Sequence, residues 1–384
     1  MWGDIDHTSS SFLALHLALV DQLSGLAWSR VQVWNSMTSV HQFQLGDVQL
    51  AYDVHLTDDA ITTTLVVRKE EYANLVRTSL EREGEDLRLL KGTGNRFVIS
   101  KQARSSDSTV EDIGLSIKNS RASLRRALVP VKSWRDTDTG LIVEYSEKAP
   151  RKDCDQIIFL FTSIRAKQHW IDFDGPNGGS LRTNRARIVF INDTFAANYT
   201  YNLALNGRTD PAKATTSFIK EYLRTHGHTA EQTILAGMSK GGTSAIVAGS
   251  GLEGCTVVAL APQLELGAYL KYAKRDQITR QLSREASLNK FRDIDTLLWE
   301  YLSTQARHWG IRQAYILTSN NDPHCTGGLW RLASYFSRQT NSRIEIHKTP
   351  SSSADSHVNT VHYLSPLFIS LLGVLSSGIR PSLK

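Results

Sequence analysis

The sequence predicts an α/β fold, a mostly parallel sheet flanked by helices, preceded by a smaller α+β domain and interrupted by a helical cap insertion. Three observations predict it. From about residue 136 to the end, short apolar runs alternate with helical stretches, the rhythm of parallel βα units. Before that the pattern is mixed, with alternating segments over 48–54 and 61–67 that read as antiparallel strands. Between them and the C-terminus, a charged helical stretch over 264–308 is much longer than a single crossover needs.

In the first domain, 1–135, a helix is expected over 11–23, then the two strands, then a charged helix over 70–88. The polar segment 104–126 clusters Arg121, Arg125 and Arg126, a linker or a solvated helix face with phosphate contact as the sharper alternative. In the second domain, 136–384, strands are expected over 140–145, 156–163, 187–191, 233–237, 256–261, 313–319 and 343–347. Helices are expected over 215–225, 241–248, 328–338 and 358–375. The insertion over 264–308 stands where a cap over a substrate entrance is often placed.

Composition narrows the function classes. A chain of 384 residues, 41% hydrophobic and 21% charged, is long enough for about two packed domains and too apolar for a disordered protein. The net charge of +6 mildly favours anionic neighbours, such as an acidic polymer or a membrane surface touched peripherally. No nucleic-acid partner is predicted. Cys154, Cys255 and Cys325 are odd in number and widely spaced, without a C-x-x-C, which argues against a zinc site or redox pair and fits a reducing cytoplasm. The apolar stretch 12–20 follows Asp4 and Asp6, where a secretory signal wants positive charge. The C-terminal run 363–379 carries Ser365, Pro366, Ser370, Ser376 and Ser377 and is expected not to span a bilayer.

The chemistry is centred on Gly237-Met238-Ser239-Lys240-Gly241. An apolar strand runs into this motif and a small-residue helix runs out, the context a nucleophile elbow requires. A tight strand-to-helix turn needs small neighbours around the serine, and a helix N-terminus aims N–H groups at a developing oxyanion. Serine needs a base held by an acid, in the chain order Ser, Asp, His. Asp322, in Asn320-Asn321-Asp322-Pro323-His324, leaves the C-terminal end of a strand and is the expected acid. His357, after the last strand, is the expected base, with His362 as its competitor and His347 read as structural. The oxyanion hole is expected to use the N–H of Lys240 and a second donor after the strand 156–163, assigned to Ser163.

Two further patterns bear on substrate. The run 192–201, just after a strand, is dense in hydrogen-bonding and aromatic groups, and Asn192, Asp193 and Tyr199 are expected to contact a polar substrate such as a sugar. Asp172-Phe173-Asp174 resembles the D-x-D with which sugar-nucleotide transferases hold a divalent metal. It supports an alternative reading, a metal-dependent glycosyl- or glycosylphosphotransferase. A non-catalytic subunit of the same fold is the third. The leading reading needs no cofactor and no metal.

With the elbow, the Asn-Asp-Pro loop and the late histidine in order, residues 136–384 resemble the α/β-hydrolase superfamily. The Gly-Met-Ser-Lys-Gly-Gly elbow and the Asn-Asp-Thr-Phe segment are similar to those of capsular polysaccharide biosynthesis proteins of the XcbB/CpsF type. A more distant resemblance is to acyltransferases of accessory secretion systems. The resemblance implies serine-dependent acyl transfer or ester cleavage on a small molecule or carbohydrate, including an anionic polysaccharide. The N-terminal third resembles no family.

Overall fold

In a computed structural model, the described residues are the strands within 28–104 and, from 131 to 383, all but 152–153, 166–167, 169–170, 284–289 and 307–308. The chain divides into two compact units, Met1–Leu128 and Val129–Lys384.

The described residues of the first unit form six strands, β1 (Trp28–Asn35), β2 (Thr38–Leu45), β3 (Val48–Thr57), β4 (Ala60–Val67), β5 (Arg88–Lys91) and β6 (Phe97–Arg104). They form one antiparallel sheet in the order β1-β2-β3-β4-β6-β5. The two strands expected from alternation lie in β3 and β4, which pair with each other from Leu50↔Val67 to Thr57↔Ala60. The expected helix over 11–23, all but the last residue of the one over 70–88, and the arginine cluster at 121–126 lie outside the described residues.

The second unit is built on eight strands: β7 (Lys132–Arg135), β8 (Ile142–Lys148), β9 (Ile157–Phe161), β10 (Arg187–Ile191), β11 (Thr233–Met238), β12 (Cys255–Leu260), β13 (Ile311–Ser319) and β14 (Arg343–Thr349). Their order is β14-β13-β12-β11-β9-β10-β8-β7. Strands β9 to β14 are mutually parallel, while β8 runs antiparallel to β10 and to β7. Counted from β7, this is the order 1-2-4-3-5-6-7-8 with an antiparallel second strand, an α/β-hydrolase-like sheet. Strand β7 places 132–135 in this unit, so the boundary falls before residue 129 rather than after 135.

Seven helices are described: α1 (Asp210–His226), α2 (Lys240–Ser250), α3 (Leu266–Tyr272), α4 (Asp276–Leu282), α5 (Lys290–Gln305), α6 (Pro323–Ser337) and α7 (His357–Leu375). The central strands β9, β11 and β12 are buried along their whole length because both sheet faces are covered. Alternate residues go to opposite cores. Phe159, Phe161, Leu235 and Val257 pack with Phe218 of α1 and Ala245 of α2, while Ile158, Leu160, Ile234 and Val258 pack with Leu364, Phe368 and Leu372 of α7.

The expected insertion is helical: α3, α4 and α5 occupy the chain between β12 and β13. Helix α7 holds most of the C-terminal run that was expected not to span a bilayer. By length and composition it is apolar enough to cross a bilayer, and its Leu364, Phe368, Leu371, Leu372 and Leu375 are buried on the sheet.

Candidate active site

The strand β11 runs into Ser239, which caps α2 with φ 52° and ψ −120°. A positive φ is uncommon for a residue with a side chain and is sustained only where the surroundings dictate it. Here the Ser239 N–H donates to Leu260 O at 2.8 Å, and the neighbouring glycines make the turn passable. A Cβ on Gly237 would lie 2.2 Å from the Gly241 carbonyl carbon, and one on Gly241 would lie 2.3 Å from Phe161 O. The elbow is therefore pressed against the end of β9 by backbone contact.

The structure brings Ser239, His357 and Asp322 together. Ser239 Oγ is 2.8 Å from His357 Nε2, and His357 Nδ1 is 2.9 Å from Asp322 Oδ2. Asp322 is 0% exposed and caps α6, its carbonyl accepting from Thr326 N–H at 2.9 Å. His357 opens α7, after Ser356, whose hydroxyl accepts from Asn359 N–H at 3.3 Å. With 12% of its side chain exposed, His357 stands at the open edge of the site. His362 lies exposed on α7, and His347 lies within β14.

Lys240 is the first residue of α2, and the first N–H groups of a helix have no acceptor within it. Its side chain turns away from the site. Nζ lies 3.0 Å from Asp193 Oδ2, with both side chains 0% exposed, and 5.0 Å from the Tyr199 ring centroid. Asp193 also accepts from Thr200 N–H, Thr200 Oγ1 and Tyr201 N–H at 2.6–3.1 Å. The buried ammonium thus recruits the segment after β10 inward.

Of the residues expected to contact substrate, Asn192, Asp193 and Tyr199, the last two are engaged by other parts of the chain. All three are buried. Asp193 neutralises Lys240, and the Tyr199 hydroxyl accepts from Arg165 N–H at 3.0 Å, with burial pushing its pKa up to about 12. Ser163 is engaged as well. Its N–H donates to Asp172 Oδ2 at 3.0 Å and its hydroxyl to Asp172 Oδ1 at 2.8 Å, so that amide is already engaged. Asp172 is also paired with Arg165, at 2.6 Å, and is buried. Both carboxylate oxygens of Asp172 are thus engaged by Ser163 or Arg165, and among the described residues no cluster of metal-ligating side chains is present. The Asp174 side chain lies outside the described residues.

One residue at the site has no counterpart in the sequence reading. Gln263, three residues beyond β12, is 0% exposed and places Nε2 2.9 Å from Ser239 Oγ. Its signal was positional: it follows a parallel strand at the edge where ligands of open α/β sheets bind. At the rim, the rings of Tyr269 and His324 lie 5.6 and 6.0 Å from that of His357. Burial lowers the pKa of His324, with His357 lowering it further against the opposing Asp322.

No family model matches the sequence, and no curated protein sequence matches it. Solved structures resemble it in backbone. The capsule O-acetyltransferase of Neisseria meningitidis serogroup A aligns over 62% of this chain and 96% of its own, at 15% identity and a TM-score of 0.44. The glycosylation-associated Gap123 complex of Streptococcus agalactiae aligns over 89% of this chain and 69% of its own, at 12% identity and a TM-score of 0.49. MPT51 of Mycobacterium tuberculosis aligns over 65% of this chain and 99% of its own, at 11% identity and a TM-score of 0.42.

Proposed function

We propose that this chain is a serine-dependent acyl hydrolase or O-acyltransferase whose acyl-enzyme forms on Ser239. The observation that carries the reading is the unbroken hydrogen-bond line from Ser239 Oγ through His357 to buried Asp322, beginning on a strained strand-to-helix turn. His357 Nε2 takes the hydroxyl proton as Oγ attacks an ester or thioester carbonyl, and then returns it to the leaving group. Asp322 holds the ring with its proton on Nδ1 and stabilises the imidazolium. The Lys240 N–H, at the start of α2, faces the developing oxyanion. The acceptor, water or a sugar hydroxyl, then takes the acyl group.

A carbohydrate acceptor, and a capsular polysaccharide in particular, is supported by the resemblance of the Gly-Met-Ser-Lys-Gly-Gly elbow. The net charge of +6 fits an anionic polymer. The contacts of Asp172 with Ser163 and Arg165 favour the acyl-enzyme reading over the metal-dependent transferase.

The test is labelling of purified protein by a serine-directed fluorophosphonate, with Ser239→Ala, His357→Ala and Asp322→Ala beside the wild type. Labelling of the wild type and its loss in Ser239→Ala is expected. Folded wild-type protein that takes up no probe overturns the proposal in favour of a non-catalytic subunit. For the finer reading, transfer of an acetyl group from p-nitrophenyl acetate to an acidic polysaccharide is measured against release to water.

A further inference from the structure

Gln263 is held more firmly than a loop residue needs to be. Its N–H donates to Thr243 Oγ1 at 2.9 Å, and its carbonyl accepts from the same hydroxyl at 3.0 Å, so its backbone is fastened to α2, the helix that Ser239 caps. The chain before it turns through Ala261 at φ 48°, whose N–H donates to Leu317 O at 2.7 Å. The side chain is fixed at its other end, where Oε1 accepts from the Tyr201 hydroxyl at 2.5 Å. Tyr201 is itself buried, its N–H donates to Asp193, and burial raises its pKa well above the ordinary value, which keeps the hydroxyl a donor.

The amide orientation follows from His357. With the Nδ1 proton given to Asp322, Nε2 is the bare nitrogen of the ring. The end of the Gln263 amide nearest it is 3.4 Å away. An oxygen there would set two lone pairs against each other, whereas an N–H is attracted. The amide N–H therefore points into the space between Ser239 Oγ and His357 Nε2, and Oε1 points at Tyr201.

Resting on the acyl-enzyme reading above, we infer that Gln263 is a catalytic residue that donates to the attacking oxygen in both halves of the reaction and thereby selects a hydroxyl acceptor over an amine. A hydroxyl oxygen has one proton and two lone pairs. In the first half, the Ser239 proton goes to His357 Nε2, one lone pair accepts the Gln263 N–H, and the remaining pair forms the bond to the carbonyl carbon. The leaving group departs with the proton from His357. The acylated Oγ is an ester oxygen, a poorer acceptor, and the Gln263 N–H is released.

In the second half, the acceptor oxygen stands where its proton reaches Nε2, within range of the same amide. Its proton goes to His357, one lone pair accepts from Gln263, and the other attacks the acyl carbon. The bond from that carbon to Oγ breaks, and Oγ regains the proton. A neutral amine has a single lone pair, needed for the attack, and leaves the amide donor unpaired in a buried site. Unpaired buried donors are penalised, which disfavours the amine.

The experiment uses full-length protein, p-nitrophenyl acetate as donor, and 2,2,2-trifluoroethanol and 2,2,2-trifluoroethylamine as competing acceptors, with acetylation of Ser239 followed by mass spectrometry. Gln263→Ala and the isosteric Gln263→Glu are compared with the wild type, after thermal melts show that they fold. Expected are a roughly 10- to 100-fold slower acetylation of Ser239 in Gln263→Ala and a shift of the product ratio from trifluoroethyl ester toward trifluoroethylamide. The rate of Gln263→Glu relative to wild type at the same pH is expected to rise as pH falls, because the protonated carboxyl donates and the ionised one cannot, while protonation of His357 slows both proteins alike. Wild-type acetylation at Ser239, with rates and product ratios in both variants within twofold of wild type, overturns the role of Gln263 and leaves the acyl-enzyme reading standing. Absence of any Ser239-dependent acetylation in the wild type overturns both.

Discussion

Two buried ionic arrangements set the behaviour of single residues in the C-terminal unit. Lys240 and Asp193 are both 0% exposed, with Nζ and Oδ2 3.0 Å apart directly behind the nucleophile turn. Removing one partner of such a pair leaves a buried charge alone, so Lys240→Met is expected to lower stability by about 3–5 kcal/mol, measured by urea denaturation. By contrast, Ser239→Ala is expected to melt close to the wild type while activity falls by about a thousandfold or more. The second arrangement is Asp295, whose pKa burial pushes up to about 6 although the Gly267 N–H donates to it at 2.6 Å.

For Asp295 the sign is opposite to that of a salt-bridged acid. Its folded-state pKa lies above its unfolded one, so the folded protein holds the proton longer. Below about pH 4 both states are protonated and nothing is lost. Stability then declines as pH rises from about 4 to about 6 and stays reduced above. Asp295→Asn is therefore expected to raise Tm relative to the wild type at pH 8 and to lose that advantage at pH 4, as scanning calorimetry at the two pH values would record. A constant difference between the variants would refute the assignment.

At the scale of elements, glycines divide by what surrounds them. Gly241 starts the second step of α2 with Phe161 O where a Cβ would sit, so Gly241→Ala is expected to abolish soluble, folded protein. Gly373, inside α7, has nothing within 4 Å of such a Cβ, and Gly373→Ala is expected to stabilise by about 0.5–1 kcal/mol through helix propensity. Both are read from thermal or chemical denaturation. Element boundaries were less legible. Helix α6 begins at Pro323, five residues before the expected start, with the proline at the first helical position, where its missing N–H costs nothing. Gly328 is there for packing: a Cβ would meet Leu264 at 2.5 Å and Trp299 at 2.9 Å. Strand β7 was unreadable because its Lys-Ser-Trp-Arg, mostly exposed at a sheet edge, carries no alternation to detect.

Over the whole molecule, every residue brought to the site belongs to Val129–Lys384, as do both hydrophobic cores among the described residues. A chain beginning at Val129 is accordingly expected to fold and to take up fluorophosphonate at Ser239. Intact-mass spectrometry and a melting curve would check this, and an unfolded fragment would show that the first unit is required.

The strand, tight turn and helix around Ser239 were legible because an elbow is local geometry, written in consecutive small and apolar residues from 233 to 246. The order of Asp322 and His357 was legible too, since both follow parallel strands at the same sheet edge. Orientation was not. Lys240 meets Asp193 across 47 positions, Ser239 meets His357 across 118, and Gln263 meets Tyr201 across 62. Whether a polar residue after a strand faces a ligand or a buried cation depends on which distant side chain arrives beside it. Tertiary packing alone therefore turned Asp193 and Tyr199 inward, engaged Ser163 with Asp172, and set the Gln263 amide against the serine.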